Sequence, residues 1–289
     1  MSITHPTIRA GFWNVWGHRR ADDIHAFITK QDERVDIWCL TEVTSMNQVY
    51  DPVPVVYSSN DPAELPSRID GLQRLLKDFS LANEIEYISP EYTTWKCQLT
   101  NLNYNQIGFG SAMLIKRNLD VIDRGHYLIK FDEEITKPRV IQWVVFQSGG
   151  DVQLVAHLHG VWIRGNTKGD DHRRSHQSRM VRQLLYQLQR KYAVNKTVFG
   201  GDLNLDINTE ALKLLECGYR GDKGYRNLNR LFDVDNTRTA DYRKFNITGE
   251  SKHADYVLIS ANVMVSEGDY FVGNQILGSD HAPLLMAWS

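Results

Sequence analysis

Short apolar, β-rich runs recur along the whole chain, at 7–14, 36–41, 84–88, 110–116, 139–147, 151–158, 196–199, 254–259, 263–267 and 283–288. Strands therefore dominate the expectation. Helical periodicity appears between them at 21–31, at 68–82 through Ile69, Leu72, Leu75, Leu76 and Phe79, at 176–192 through Met180, Leu184, Leu185 and Leu188, and at 209–216. Such helices would cover the sheets. No Pro/Ser/Gly-rich linker, internal repeat or low-complexity tract divides the 289 residues, which favours one two-sheet α/β domain over 1–289 rather than two independent halves. Ser148-Gly149-Gly150 supplies the permissive backbone of a tight turn between two of the runs, so those two are expected to pair as an antiparallel hairpin. A purely parallel sheet is thereby excluded.

With 42% hydrophobic residues the chain can bury a substantial core, and it lacks the biases of disordered or collagen-like sequences. Cys39, Cys97 and Cys217 are odd in number and widely spaced, forming neither a disulfide framework nor a CxxC zinc pattern. A reducing compartment fits best. The N-terminal stretch MSITHPTIRAGFWNV lacks the charged start and apolar run of a signal peptide, and no run of about 18 apolar residues occurs, so a cytoplasmic location without membrane insertion is expected.

The net charge of −2 does not suggest a nonspecific nucleic-acid binder, but its distribution is uneven. Residues 164–191 carry +6 and residues 220–244 carry +3, leaving −11 for the remainder. Local positive potential can attract a phosphate-bearing substrate, or the two segments can be ordinary solvated faces. Residues 44–66 and 219–250 read as long irregular connections and candidates for substrate selection.

Several runs end in side chains with chemistry. Thr197-Val198-Phe199-Gly200-Gly201-Asp202-Leu203-Asn204 reads as a strand breaking into a glycine turn, and alternation puts Asp202 and Asn204 on one face if the extended conformation persists. A carboxylate and an amide so placed can activate a water and hold it in line with phosphorus; a simple strand-ending turn is the competing reading. Gly278-Ser279-Asp280-His281-Ala282-Pro283 is a polar turn before the last strand, where Asp280 can bind a hard cation and His281 can donate to charge developing on a phosphoryl oxygen. Asn14 and Glu42 each end a hydrophobic run with an oxygen-bearing side chain, as magnesium prefers, although Glu42 can equally be a helix N-terminal acid and Asn14 a cap or turn residue. His157 and His159 share a strand face, and either can contact phosphate. Asp255 begins another strand and can orient an imidazole.

Taken together, Trp13-Asn14, Thr41 to Val43, His157 to His159, Gly201 to Asn204, Asp255 to Leu258 and Ser279 to Pro283 resemble the endonuclease/exonuclease/phosphatase superfamily, in that family's order and from 13 to 283. The resemblance implies a four-layered α/β/β/α sandwich with two mixed, largely antiparallel sheets. It implies a divalent metal, magnesium or manganese, at the sheet ends. Glu42 would be the principal metal ligand with Asn14 and Asp280 nearby, Asp202 would orient or deprotonate the attacking water, and Asn204 would help position the phosphate. His281 would stabilise the phosphoryl transition state with Asp255 holding its ring, and His157 would be the second phosphate-contacting histidine. Trp16 and His157 stand where abasic-site endonucleases usually carry an acidic residue and a tyrosine. This looks more like the branch of deoxyribonucleases, tyrosyl-DNA phosphodiesterases, deadenylases and sphingomyelinases. Thr41 replaces the glutamine common before the metal-binding glutamate.

The expected function is hydrolysis of a phosphodiester in nucleic acid, with aromatic residues Tyr225, Phe232, Tyr242 and Phe245 interleaved among the basic ones as base-stacking candidates. The alternative is a phosphodiesterase or phosphatase acting on lipid headgroups, inositol phosphates or other small phosphoesters. A zinc hydrolase is disfavoured, because the His-x-His is not followed by Asp-His and the His172/His176 pair lacks the glutamate of HExxH. A nonhydrolytic scaffold is disfavoured by retention of the full polar set.

Overall fold

The structure, a computed structural model, describes residues 7–31, 34–46, 55–56, 67–68, 70–79, 92–96, 103–131, 139–163, 168–240, 242 and 252–289. In chain order the first half holds β1 (Ile8–Asn14), α1 (Ala21–Gln31), β2 (Ile37–Met46), β3 (Val55–Val56), β4 (Ser67–Arg68), α2 (Gly71–Phe79), β5 (Tyr92–Lys96), β6 (Asn103–Ile115) and β7 (Asp120–Ile129). The second holds β8 (Arg139–Ser148), β9 (Asp151–Leu158), α3 (His172–Tyr192), β10 (Lys196–Asp202), α4 (Glu210–Glu216), β11 (Tyr225–Asn227), α5 (Leu228–Leu231), β12 (Asp255–Ser260), β13 (Tyr270–Val272) and β14 (Leu284–Trp288).

Two six-stranded sheets form, ordered β13-β14-β1-β2-β6-β5 and β11-β12-β10-β9-β8-β7, with β3 and β4 as a separate pair. Only β1–β2 and β9–β10 pair in parallel; every other pairing among the described residues is antiparallel. Phe12, Cys39 and Met113 of the first sheet pack with Val144, Val155, Val198 and Val257 of the second to form the central core. The outer face of the first sheet, with Trp13, Trp38 and Leu40, is covered by Ile24 and Ile28 of α1 and Leu72 and Leu75 of α2. Phe199, Ala156 and Leu258 of the second are covered by Val181, Leu185 and Leu188 of α3 and by α4. Each sheet thus buries both faces, giving four α/β/β/α layers. Burial of each such Leu or Ile stabilises the fold by about 1.5–3 kcal/mol.

The β8–β9 hairpin closes as its Ser-Gly-Gly sequence requires, with Ser148 opposite Asp151 and positive φ at Gly149 (62°) and Gly150 (86°). The first type I′ turn position tolerates few other residues. α3 begins four residues before its apolar periodicity does. Asp171 caps it by accepting from Arg173 N at 2.9 Å, and Arg174 rather than an apolar residue fills the buried position of the first turn.

Several boundaries differ from the sequence expectation. β2 runs on to Met46, into the stretch read as a loop from 44, because a bulge between Thr41 and Val43 lets the ladder with β6 continue. Residues 263–267 form no strand: Val263 is buried in the central core, but this stretch crosses from β12 in one sheet to β13 in the other and has no ladder to join. The 219–250 connection contains β11 and α5. Strand β7 went unread because its residues alternate between exposed and half-buried, with little apolar signal at the sheet edge. The run at 84–88, Cys97 and most of 47–66 lie outside the described residues. Among the described residues no helix is long and apolar enough to cross a membrane.

Candidate active site

The ends of β1, β9, β10 and β12 and the bulge of β2 converge with the turn before β14, and the polar residues of the sequence motifs meet there. Asn14 is the last residue of β1, Asp202 the last of β10, and Asp255 the first of β12, directly opposite Asp202 in the ladder. Glu42 sits in the β2 bulge with φ 55°, and Asn204 turns back with φ 52°. Left-handed backbone in two non-glycine residues, one in the first sheet and one just beyond a strand of the second, is strain of the kind that aims side chains. Gly201, with φ 120°, permits the kink that delivers Asp202; a Cβ there would stand 2.4 Å from Leu158 O.

Asp202 is held from two sides. Asn14 Nδ2 donates to its Oδ2 at 2.9 Å across the two sheets, and Asn204 N donates to its Oδ1 at 3.0 Å. This second bond closes an Asx turn, so the extended conformation expected through Asn204 stops at Asp202. Asn204 still reaches the site, but its Nδ2 donates inward to Gly160 O at 3.2 Å. Imidazole Nε2 atoms flank the carboxylate: His281 lies 3.6 Å and His159 3.7 Å from Asp202 Oδ2, and His159 lies 3.6 Å from Glu42 Oε1.

The His281 ring is oriented by Asp255, whose oxygens stand 2.8 and 3.0 Å from Nδ1. Thr237 Oγ1 donates to Asp255 Oδ2 at 3.4 Å, and Asn229 Nδ2 to Asp255 O at 2.9 Å. The turn carrying His281 is pinned in turn. Ser279 Oγ donates to Asn14 O at 2.6 Å, His281 N to Ser279 Oγ at 3.1 Å, and Trp13 Nε1 to His281 O at 2.9 Å. Arg238 Nη1 donates to His281 Nε2 at 2.5 Å and stands 4.0 Å from Asp280 Oδ2.

Burial governs the electrostatics. It raises Asp202 to about 7, His281 and the Asn14 bond pulling down while Asp255 and Glu42 push up. Asp255 is raised to about 7, again by burial, against the pull of Arg238 and Thr237. Asp280 is raised by burial, opposed by His281 and Arg238, and His281 is lowered by burial and by Arg238 against the surrounding carboxylates. A carboxyl near 7 is matched to taking a proton from water at neutral pH.

Asn14, Asp202, Asn204, Asp255, Asp280 and His281 are therefore brought into one connected site, with Glu42 at its edge. His157 is placed beneath it: fully buried, its Nε2 2.6 Å from Gln142 Oε1, and lowered to about 3 by burial. His159 is the histidine of that strand face that meets Asp202 and Glu42. Sequence alternation flagged both rings but could not say which stands at the strand's open end. Arg238 and Thr237 carried no signal beyond membership of a basic loop. Arg139, buried at the start of β8, also lies within the field of Asp202 and Glu42, which offset the burial that lowers it to about 10.

The donor set fits a hard divalent cation. Glu42, Asp202, Asp280 and the Asn14 amide are oxygen donors, and the burial-raised Asp202 and Asp280 carboxyls form an acidic cluster that a cation would neutralise. Asn14 Oδ1 accepts from Trp16 N at 2.9 Å and keeps a second lone pair. Atoms of Asp202, Asp255 and His281 also lie within 4.8 Å of one another, with Asp255 and His281 joined through Nδ1 at 2.8 Å.

Five arginines of the basic segments are engaged internally among the described residues. Arg173 pairs with Asp171, Arg174 donates to Val161 O and Gly169 O, and Arg182 binds Asp222 at 2.6 Å. Arg230 pairs with Glu216, and Arg226 donates to Val263 O. Tyr225 is buried under Arg182, Phe232 stacks on Tyr270, and Tyr242 lies against Arg238. These three pack the fold instead of presenting faces to bases; Phe245 is outside the described residues.

Similar architectures carry related names. The catalytic domain of human Nocturnin, crystallised with sulfate, aligns with a TM-score of 0.62 at 17% identity over 98% of this chain and 93% of its own. The mannosyl-6-phosphatase of Bacteroides thetaiotaomicron aligns with a TM-score of 0.64 at 14% identity over 98% of this chain and 99% of its own. Truncated TDP2 of Caenorhabditis elegans gives 0.61 at 16% identity over 98% and 97%. At these identities the likeness establishes the fold. No curated protein matches the chain by sequence. The sequence itself matches the Endonuclease/Exonuclease/phosphatase family over residues 11–281, which takes in every residue of the site from Asn14 to His281, and the chain belongs to that family of phosphoester-hydrolysing enzymes.

Proposed function

We propose that the chain hydrolyses a phosphoester at the Asp202–His281 site, with magnesium, or manganese in its place, held by Glu42, Asn14 and Asp280. The observation that carries this reading is Asp202 itself, a buried carboxyl raised to about 7, held by Asn14 and Asn204 and flanked by two imidazoles. When bound, the cation supplies Lewis acidity and charge neutralisation at the phosphoryl group. Asp202 receives the proton of the attacking water, held for that task by its two amide donors. His281 faces the phosphoryl group with its ring fixed by Asp255, and His159 is the second imidazole there, in the role His157 was expected to fill. Asn204 acts through the loop it ties to Gly160.

The substrate we propose first is a phosphodiester in nucleic acid, with 1–289 acting as one domain in a reducing, cytoplasmic setting and without membrane insertion. Cys39 and Cys217 as free thiols agree with that setting. A second reading, a small phosphoester such as a sugar, lipid-headgroup or inositol phosphate, is favoured by the internal use of Arg174, Arg182, Tyr225 and Phe232, which removes much of the expected nucleic-acid track. Trp162, half exposed two residues beyond Gly160, can stack on either a base or a sugar. The test is a magnesium-supplemented screen of single- and double-stranded DNA and RNA and of small mono- and diesters, with Asp202→Ala and a chelator as controls. Cleavage of polymer supports the first substrate class, and phosphate release from small esters alone supports the second. No metal-dependent hydrolysis of any of them would sink the reading.

A further inference from the structure

The corner of the site that should donate to the phosphoryl group holds an unexpected pair. Arg238 lies in the segment Asn236–Thr239, zipped along the turn before β14. Thr239 N donates to Asp280 O at 3.2 Å, Ala282 N to Thr237 O at 2.9 Å, and Arg238 faces His281 as an isolated antiparallel bridge. This backbone drives a buried guanidinium, 5% exposed and stacked on Tyr242 at 4.5 Å, against the catalytic ring. Its Nη1 donates to His281 Nε2, while its Nε has no hydrogen-bond partner among the described residues.

A guanidinium has donors only, so Nε2 of His281 must be the acceptor and its proton must sit on Nδ1, facing Asp255. In this arrangement His281 has no proton to offer a phosphoryl oxygen. Arg238 does, because its guanidinium carries only N–H donors. A desolvated arginine with an unsatisfied N–H is costly unless an anion completes its shell, and the forked guanidinium matches phosphate oxygens. The nearby Asp280 carboxylate, 4.0 Å away, is too far to do so by hydrogen bonding.

We propose that Arg238 is a ligand of the substrate's phosphoryl oxygens: it caps His281 Nε2, and on arrival of phosphate it exchanges that contact for the anion and frees the ring. This rests on the phosphoesterase reading of the same site. It adds a charged, substrate-touching residue from a loop outside the motifs.

The test measures binding without turnover. Inorganic phosphate is titrated calorimetrically into the full chain in magnesium buffer, for wild type, Arg238→Met, Arg238→Lys and Lys252→Gln. Lys252, exposed and paired with Asp235, serves as a control for the loss of one positive charge nearby. Arg238→Met should weaken phosphate at least about tenfold, the loss of one charge-assisted hydrogen bond, with Arg238→Lys intermediate and Lys252→Gln within about twofold of wild type. In parallel, nitrogen NMR of wild type should show His281 protonated on Nδ1, with an Nε2 signal that moves on adding phosphate. Should Arg238→Met not fold, the lysine variant and the ring signal decide. Undiminished phosphate affinity in the Arg238 variants, wild type that binds no phosphate, or an Nε2 signal indifferent to phosphate overturns the proposal. Hydrolysis with unchanged phosphate binding in the variants defeats this inference alone; lost phosphate binding in a chain that hydrolyses nothing defeats the enzymatic reading alone.

Discussion

Asn14 and Asp202 join the two sheets through one buried hydrogen bond, Nδ2 to Oδ2 at 2.9 Å, at the point where β1 and β10 both end. The carboxylate proposed to take the proton of water is thereby positioned by a residue 188 positions away in the chain. Removing the donor leaves a buried carboxylate short of a partner. Asn14→Ala is expected to destabilise the fold by about 1–3 kcal/mol, measured by urea denaturation, and to reduce turnover as well. Wild-type stability in that variant would show that the bond does not hold the sheets.

Asp202→Asn keeps the volume and removes the proton acceptor. Turnover on whichever substrate the screen identifies should fall at least about 10²-fold with the variant still folded by circular dichroism, and His281→Ala should fall as far. Near-normal steady-state rates in either purified variant contradict the assigned roles.

The Asp255–His281 pair yields a separate expectation. Asn in place of Asp255 loses the charge that holds the Nδ1–H tautomer, so kcat should drop by about 10²–10⁴-fold while circular dichroism stays that of the folded protein. A drop confined to KM would place Asp255 in binding rather than in orienting the ring.

Two buried rings, far less basic in the fold than in the unfolded chain, each make a separable contribution to the pH dependence of stability. His18 and His157 are fully buried and lowered from 6.5 to about 3, chiefly by burial. Between those values the unfolded chain binds protons on these rings that the folded chain does not, so their contribution to stability is intact above about 6.5 and falls as pH drops toward 3, while Asp202 and Asp255, raised to about 7, contribute with the opposite sign. Each ring contributes a loss approaching about 2 kcal/mol by pH 5. Unfolding free energies at pH 7 and pH 5 for wild type and His18→Asn should show the variant losing less. Asn is chosen because position 18 has φ 52°, which Asn tolerates.

Gly201→Ala joins a forbidden φ to a clash with Leu158 O at 2.4 Å. A loss of at least about 2 kcal/mol in stability is expected, together with loss of activity as Asp202 is displaced. An alanine variant that melts like wild type would mean the kink is not required.

Much of the fold was legible because each sheet and helix buries faces that leave periodic marks. The expected range of α1, 21–31, matches Ala21–Gln31, and the Ser-Gly-Gly turn announced its hairpin. Elements without such marks were missed: β7 at an exposed edge, and β13, only three residues long. Residues 263–267 mimicked a strand because burial alone, without a ladder, produces the same apolar pattern.

What the sequence by itself determined was which polar side chains lie in or flank its apolar runs: Asn14, Glu42, His157, Asp202, Asn204, Asp255, Asp280 and His281. Strand alternation and turn residues are local, so local sequence records them. Which ring of the 157–159 pair meets Asp202, that Asn14 reaches across to the other sheet, and that Arg238 rather than solvent faces His281 Nε2 were decided only by tertiary structure. Those relations depend on where two sheets end relative to each other and on a loop zipped to a distant turn. Hydrogen bonds between residues tens to hundreds of positions apart leave no periodicity in the chain that makes them.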